Sequence, residues 1–134
     1  MGELAMTPTQ TVLAFLAELE KPEGFEAGVR KFFTPTTRYL NVGMSDTTGV
    51  DETVEFVRGF EAQTGISYMI ADMLAIAEDG NKVLTERIDK LYAADGTLVM
   101  APPVMGIFET GDGKITGWRD YFDTLQATGG QAPS

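Results

Sequence analysis

The sequence predicts an α+β fold in which a bent, largely antiparallel β-sheet curls around the helices that precede it and leaves a pocket between them. Helical periodicity is concentrated before Gly65, in three segments. From Ile66 onward the pattern changes to four long strand segments separated by Asp-Gly turns, which is typical of an antiparallel meander. Pro102 and Pro103 interrupt the third of these segments and indicate a bulge or bend, because proline cannot donate to a sheet ladder.

Three helices are predicted ahead of the meander. The first begins at Thr7-Pro8-Thr9, where a capping threonine precedes a proline in the first turn, and it ends near Lys21-Pro22. The second covers Glu23–Phe33. The third begins at the capping residue Asp51 and ends at Gly65.

Five strands are predicted, one between the second and third helices and four in the meander. They are Thr36–Val42, Ile66–Ala77, Lys82–Tyr92, Leu98–Thr110 and Lys114–Leu125. A polar loop bounded by Gly43 and Gly49 follows the first strand. No linker or internal repeat is visible, so we expect a single domain over residues 1–134, with a frayed Gly/Pro/Ser-rich tail from about residue 127.

Composition restricts the chemistry. The 134 residues include no His and no Cys, which excludes an imidazole base, a Ser–His–Asp triad, a thiolate nucleophile and a zinc site built on His or Cys. Any acid–base reaction must therefore depend on Asp, Glu, Tyr, Lys or Arg. This favours a pair of carboxylates with different proton affinities.

Charge and hydropathy restrict the partners and the location. The net charge is −10 and the Lys and Arg residues are scattered, so we expect no binding to nucleic acid or to an anionic membrane. No apolar run approaches the ~18 residues of a membrane span. The sequence lacks the basic region and long apolar core that are typical of a signal peptide. We therefore expect a cytoplasmic protein.

Two predicted strands carry charge on faces that are otherwise apolar. Alternation in the second meander strand places Arg87 and Asp89 on one face, and alternation in the last strand places Asp120 between Trp118 and Phe122. If these faces meet, they form a carboxylate–guanidinium–carboxylate cluster in an apolar pocket. Two coupled carboxylates in such a site can share one proton, which leaves one acid and one base at the same pH.

Each of these features also has an explanation without chemistry. Arg87 and Asp89 could form an exposed ion pair, and Asp120 could be a carboxylate near a turn, beside aromatic core residues. Tyr39 is more often a core residue with a hydrogen bond, and Asn41, near a strand end, is more often a turn residue. From spacing alone these alternatives stay open.

Three stretches resemble the signature segments of the limonene-1,2-epoxide hydrolase family. The resemblance runs from about Arg38 to Leu125 and is poor in the Gly43–Gly49 loop and in the N-terminal helices. It implies a strongly curved mixed sheet around a cone-like pocket (a cystatin-like cone) closed by the N-terminal helices, and usually a homodimer. The stretches are Tyr39-Leu40-Asn41, Thr85-Glu86-Arg87-Ile88-Asp89 and Gly117-Trp118-Arg119-Asp120-Tyr121-Phe122-Asp123, with Val104-Met105-Gly106-Ile107-Phe108 similar to the strand between the last two.

The resemblance also implies a reaction, the cofactor-free hydrolysis of a small apolar epoxide to a vicinal diol in one step. By position, Asp120 would be the general base that deprotonates water. Tyr39 and Asn41 would hold that water. Asp89 would be the general acid that protonates the epoxide oxygen, and Arg87 would bridge the two carboxylates.

An apolar substrate pocket is expected around these residues. Other functions remain open on the same fold: an epoxide-opening cyclase, a steroid-isomerase-like enzyme, or a non-catalytic module that binds an apolar ligand. The residues expected to line the pocket are Met69, Leu74, Met100, Val104, Phe108, Trp118 and Phe122.

Overall fold

Helices α1 to α3 pack on one face of a mixed β-sheet in the computed structural model, which describes residues 6–127. No helix in this range is long and apolar enough to cross a membrane. The helices are α1 (Pro8–Glu18), α2 (Gly24–Phe32), α3 (Val50–Thr64) and the short α4 (Thr124–Ala127). The strands are β1 (Phe33–Asn41), β2 (Ser45–Thr48), β3 (Ile66–Asp79), β4 (Lys82–Ala93), β5 (Leu98–Met100), β6 (Pro103–Gly111) and β7 (Lys114–Phe122).

The strands form one sheet in the order β2-β1-β7-β6-β4-β3, and β5 pairs with β4. The pairing of β1 with β7 is parallel, whereas the other pairings are antiparallel. Register shifts in β3 between Met73 and Ala75, and elsewhere in β1 and at β6–β7, mark irregularities of the kind that bend a sheet. The predicted α+β class with a mixed, largely antiparallel sheet is confirmed.

An aromatic cluster fixes α1 against the inner face of the sheet. Phe15 is fully buried, and its ring centroid lies 5.3 Å from that of Trp118 on β7 and 6.3 Å from that of Phe108 on β6. Phe32 and Phe33 complete the cluster, each with its centroid 5.8 Å from that of Phe15. The helix therefore packs directly on the strand that carries Asp120.

Two helix boundaries differ from the sequence prediction. The first helix ends at Glu18, a few residues earlier than expected, and α3 is capped by Gly49 rather than by Asp51. Gly49 has a φ of 85°, and a Cβ at this position would meet the carbonyl oxygen of Pro35 at 2.8 Å, so only glycine fits. Asp51 lies in the first turn, where its negative charge still favours the helix.

Three strand predictions are also corrected. The expected strand over Leu98–Thr110 is two strands, because Pro102 and Pro103 lack the amide hydrogens that a continuous ladder needs. The supposed loop between Gly43 and Gly49 contains β2, which pairs with β1. The last strand ends at Phe122, ahead of α4. The frayed tail predicted from about residue 127 lies outside the described residues.

Candidate active site

The charged residues of β4 and β7 meet on the inner face of the sheet. Arg87 is 0% exposed and donates from Nε to Asp89 Oδ1 at 2.9 Å and from Nη2 to Asp89 Oδ2 at 2.8 Å. The same Nη2 donates to Asp120 Oδ2 at 2.9 Å. Since Asp89 is 5% and Asp120 4% exposed, one guanidinium bridges two buried carboxylates. Arg87 and Asp89 therefore do not form an exposed ion pair, and Asp120 is not an exposed carboxylate near a turn.

The register of four strands explains this meeting. Asn41 of β1 pairs with Asp120 of β7, Asp120 pairs with Gly106 of β6, and Gly106 pairs with Thr85 of β4. These four residues form a row across the sheet. Arg87 is the next inward-facing residue of β4 after Thr85. Because Gly106 has no side chain, the guanidinium can extend over β6 to Asp120.

A second row, of aromatic residues, orients the carboxylate of Asp120. The Trp118 ring is stacked between Tyr39, at a centroid distance of 4.1 Å, and Phe108, at 5.1 Å. Held in this way, Trp118 donates from Nε1 to Asp120 Oδ1 at 2.8 Å. The sequence predicts Trp118 only as a pocket-lining residue and does not reveal this hydrogen bond, although the Trp-x-Asp spacing puts both side chains on one face.

Tyr39 and Asn41 belong to β1, the strand next to the one that carries Asp120, and both are buried. Asn41 donates from Nδ2 to Ser45 Oγ at 2.9 Å, a contact to β2 that fixes the amide. Burial raises the pKa of Tyr39 above its ordinary value, the charge of Asp120 adds to the rise, and hydrogen bonding with Asn41 opposes it. Tyr39 is therefore a neutral hydrogen-bonding group at neutral pH and not a base.

Burial sets the proton affinity of the cluster. It raises the pKa of Asp120 above its ordinary value of 3.8; Arg87 opposes the rise, the charge of Asp89 adds to it, and the Trp118 hydrogen bond opposes it. Burial by itself would lower the pKa of Arg87, but the carboxylates of Asp120 and Asp89 outweigh it and the net direction is upward. The cluster therefore contains a permanent cation and a carboxylate that holds its proton more tightly than an exposed Asp does.

The two carboxylates open onto a cavity of about 710 Å³ between the sheet and helices α2 and α3. Asp89, Asp120, Tyr39 and Asn41 line it, and the fully buried Arg87 lies behind them. Five of the residues expected in the lining are also there: Met69, Met100, Val104, Trp118 and Phe122.

The structure corrects the expected lining at two positions. Leu74 lies at the irregularity in β3, and its side chain is 54% exposed instead of facing the cavity. Phe108 is fully buried in the core, stacked on Trp118. Leu74 follows Met73, which pairs with the inward-facing Arg87, so period-two alternation already places Leu74 on the outer face of the sheet.

The part of the chain that the structure describes contains no cluster of side chains suited to hold a metal ion. No group of three or more His, Cys, Asp or Glu side chains within residues 6–127 could hold a metal ion. The acids of the cluster are instead engaged by Arg87 and Trp118.

Comparison with known proteins assigns the chain to a family. The model of the limonene-1,2-epoxide hydrolase catalytic domain matches residues 6–130. The chain belongs to the limonene-1,2-epoxide hydrolase family. Epoxide hydrolase EphG of Mycobacterium tuberculosis (strain ATCC 25618 / H37Rv) is 42% identical over 85 residues, which is 63% of this chain and 54% of that protein. The match thus spans about half the length of the curated relative.

Solved structures agree with this family assignment. An epoxide hydrolase from M. tuberculosis that resembles limonene-1,2-epoxide hydrolase superposes with a TM-score of 0.72 and 34% identity, over 92% of this chain and 87% of that one. A Catenulispora acidiphila protein with a ketosteroid-isomerase-like fold has a TM-score of 0.71 at 18% identity, over 96% of this chain and 100% of its own. The latter supports the cone-like fold alone.

We expect Asp120→Asn to become more stable relative to the native protein as the pH rises above the ordinary aspartate pKa of about 3.9. Because the folded pKa of Asp120 is raised, the folded protein holds a proton that the unfolded chain has lost, and native stability falls as pH rises through the folded pKa. The amide does not titrate, so the variant lacks this component. Urea unfolding at several pH values measures the difference.

The matched control is Asp72→Asn, the same replacement at an exposed position of β3. Parallel stability curves for the native protein and Asp120→Asn would contradict a raised pKa at Asp120.

Proposed function

We propose that this protein hydrolyses an apolar epoxide to a vicinal diol in one step, by general acid–base catalysis without a cofactor. The observation that carries the proposal is the buried Asp89–Arg87–Asp120 cluster at the wall of a largely apolar cavity. Membership of the limonene-1,2-epoxide hydrolase family and the likeness to EphG support the reaction class.

The nucleophile is a water molecule held by Asp120, Tyr39 and Asn41. Asn41 is the direct neighbour of Asp120 across the parallel β1–β7 pair, and Tyr39 lies one inward position away. Each oxygen of Asp120 accepts one hydrogen bond from the protein, at Trp118 and Arg87, which leaves further lone pairs for water. A hydrogen bond donated by that water favours the ionised form of Asp120, which is the form that a base requires.

Asp89 acts as the acid on the other side of Arg87. The water oxygen attacks an epoxide carbon and the carbon–oxygen bond of the ring breaks. One water proton passes to the Asp120 carboxylate, and the proton of Asp89 passes to the departing oxygen. The net change in the enzyme is one proton moved from Asp89 to Asp120, and its return to Asp89 resets the site.

Arg87 makes this division of roles possible. A guanidinium bonded to both carboxylates can stabilise a negative charge on either of them. Arg87 donates to both carboxylates and does not release its own proton at any ordinary pH. It therefore neutralises the charge on either side as the proton moves between them.

The cavity indicates the kind of substrate. Its volume of about 710 Å³ lies within the range of about 300–1,000 Å³ that is usual for small-molecule sites. Met69, Met100 and Val104 give it an apolar wall, and methionine adapts to irregular shapes. An apolar epoxide suits this wall, with its ring oxygen directed at Asp89.

We expect the native protein to form a diol from limonene oxide, cyclohexene oxide or styrene oxide, and Asp120→Asn and Asp89→Asn to lose about 10²- to 10⁴-fold in turnover. Each amide keeps the shape of the carboxylate but cannot exchange the proton. Gas chromatography of the products measures the rate. Asp72→Asn is the matched control and should retain native turnover.

Diol formation at the native rate by either variant would contradict the assigned roles. A cyclic ether from a substrate that carries its own hydroxyl group, in place of a diol, would favour a cyclase on the same site.

A single turnover in ¹⁸O-labelled water should place the label in the diol, because water attacks the epoxide directly. Mass spectrometry of the product, with enzyme in excess over substrate, makes this measurement. An unlabelled diol from the first turnover would instead mean that a carboxylate of the enzyme attacks and forms an ester.

We also propose that the partner of this chain is a second copy, bound through the outer face of the sheet. This face is not covered by the helices and exposes large apolar side chains: Leu84 is 43% exposed, Met105 53% and Tyr121 49%. In the register of the sheet these three lie on the face opposite to Arg87 and Asp120. Large apolar side chains exposed together on one face are typical of a protein interface.

Leu84→Glu should therefore convert a native dimer to a monomer in sedimentation velocity, because a charge would be buried at the interface. Leu13→Glu, on an exposed position of α1, is the matched control and should leave the dimer intact. A native protein that sediments as a monomer at all concentrations would contradict this partner.

A further inference from the structure

Thr85 contacts Nη1, the nitrogen of the Arg87 guanidinium that does not bond to either carboxylate. Its side chain is 2% exposed, and Oγ1 accepts a hydrogen bond from Arg87 Nη1 at 2.9 Å. The same hydroxyl donates to the carbonyl oxygen of Gly106 at 2.9 Å. Because its single hydrogen is used on that carbonyl, the hydroxyl presents a lone pair to Arg87. Valine has the same shape but offers no such acceptor.

Gly106 provides the space into which the guanidinium extends. A Cβ built at this position would collide with Asp120 Oδ1 and with Arg87 Nη1, and it would lie 3.3 Å from Thr85 Oγ1. These contacts are on the inner face, in the row that joins β4 to β7. Even an alanine would therefore separate the guanidinium from one carboxylate.

We propose that Thr85 and Gly106 are positioning residues, which hold the Arg87 guanidinium in the one orientation that bridges both catalytic carboxylates. Thr85 does so through the hydrogen bond to Nη1. Gly106 does so by leaving the path over β6 open and by fixing the Thr85 hydroxyl through its carbonyl oxygen.

The bridge needs such support because a single nitrogen makes it. Nη2 donates one hydrogen to Asp89 Oδ2 and one to Asp120 Oδ2. A rotation of the guanidinium that improves one of these bonds weakens the other, since hydrogen bonds lose strength rapidly away from linearity. The hydrogen bond from Nη1 to Thr85 Oγ1 holds the other terminal nitrogen of the guanidinium in place and so opposes that rotation.

The first test compares Thr85→Val with Thr85→Ser by side-chain ¹⁵N–¹H NMR of arginine. In the native protein we expect resolved Nη signals from Arg87, because its hydrogen bonds slow rotation of the group, whereas the exposed arginines give averaged signals. Thr85→Val should average or shift the Nη1 signal, and Thr85→Ser, which keeps the hydroxyl, should restore it. Thr85→Ala replaces Thr85→Val should that variant not fold.

The second test is kinetic and rests on the proposed function. Thr85→Val should lower kcat on the epoxide about 10- to 100-fold while KM stays within about twofold, because misplacement of the bridge harms the transition state and not the apolar cavity. Thr85→Ser should recover most of this loss. Thr53→Val removes another buried threonine hydroxyl, which donates to Gly49, and should change neither readout.

Gly106→Ala tests the other half of the proposal. It should lower kcat at least as much as Thr85→Val and should also shift the Arg87 signals. Gly59→Ala is its control, since a Cβ there meets nothing within 4 Å.

Native-like Arg87 signals in both Thr85→Val and Gly106→Ala would overturn the proposal, as would an equal kinetic loss in Thr53→Val. The NMR comparison needs no substrate. If the native protein hydrolysed no epoxide, the reaction assignment would fail, and the NMR result would still decide whether Thr85 and Gly106 position Arg87.

Discussion

The structure depends on one buried guanidinium that is shared by two carboxylates. Removal of a carboxylate from water costs several kcal/mol even after relaxation, so neither Asp89 nor Asp120 could remain in this core without a partner. Arg87 provides that partner through a forked contact to Asp89 and a single bond to Asp120. Two carboxylates face one guanidinium, and burial together with the charge of Asp89 raises the pKa of Asp120 despite the opposing effect of Arg87.

The surrounding fold is arranged to make this cluster possible. Trp118, stacked between two rings of neighbouring strands, fixes one oxygen of Asp120, and α1 packs on Trp118 through Phe15. Pro102, between β5 and β6, accepts a hydrogen bond from the amide of Asp89 through its carbonyl oxygen. The proline that interrupts the ladder thus also anchors the strand residue that carries one acid. Fold stability and site geometry consequently depend on the same contacts.

Much of the fold and of the site could be predicted from sequence, because period-two alternation already placed Arg87 with Asp89 and Trp118 with Asp120. Family-like stretches added Tyr39 and Asn41. The rest depended on pairing between strands, which a single sequence does not reveal. The pairing of β3 with β4 puts Met73 beside the inward-facing Arg87 and therefore Leu74 on the outer face, and β2 has too few apolar residues to be recognised without its partner.

The most direct test of the account is a ¹³C NMR titration of the aspartate carboxyls in the native protein, with the Asp89 and Asp120 signals assigned from their Asn variants. The account predicts that Asp120 keeps its proton to a higher pH than an ordinary aspartate, whose pKa is about 3.9. Ionisation of Asp120 at the pH of an ordinary aspartate, or below it, would mean that Arg87 offsets the effect of burial fully, and would contradict the raised proton affinity of the site.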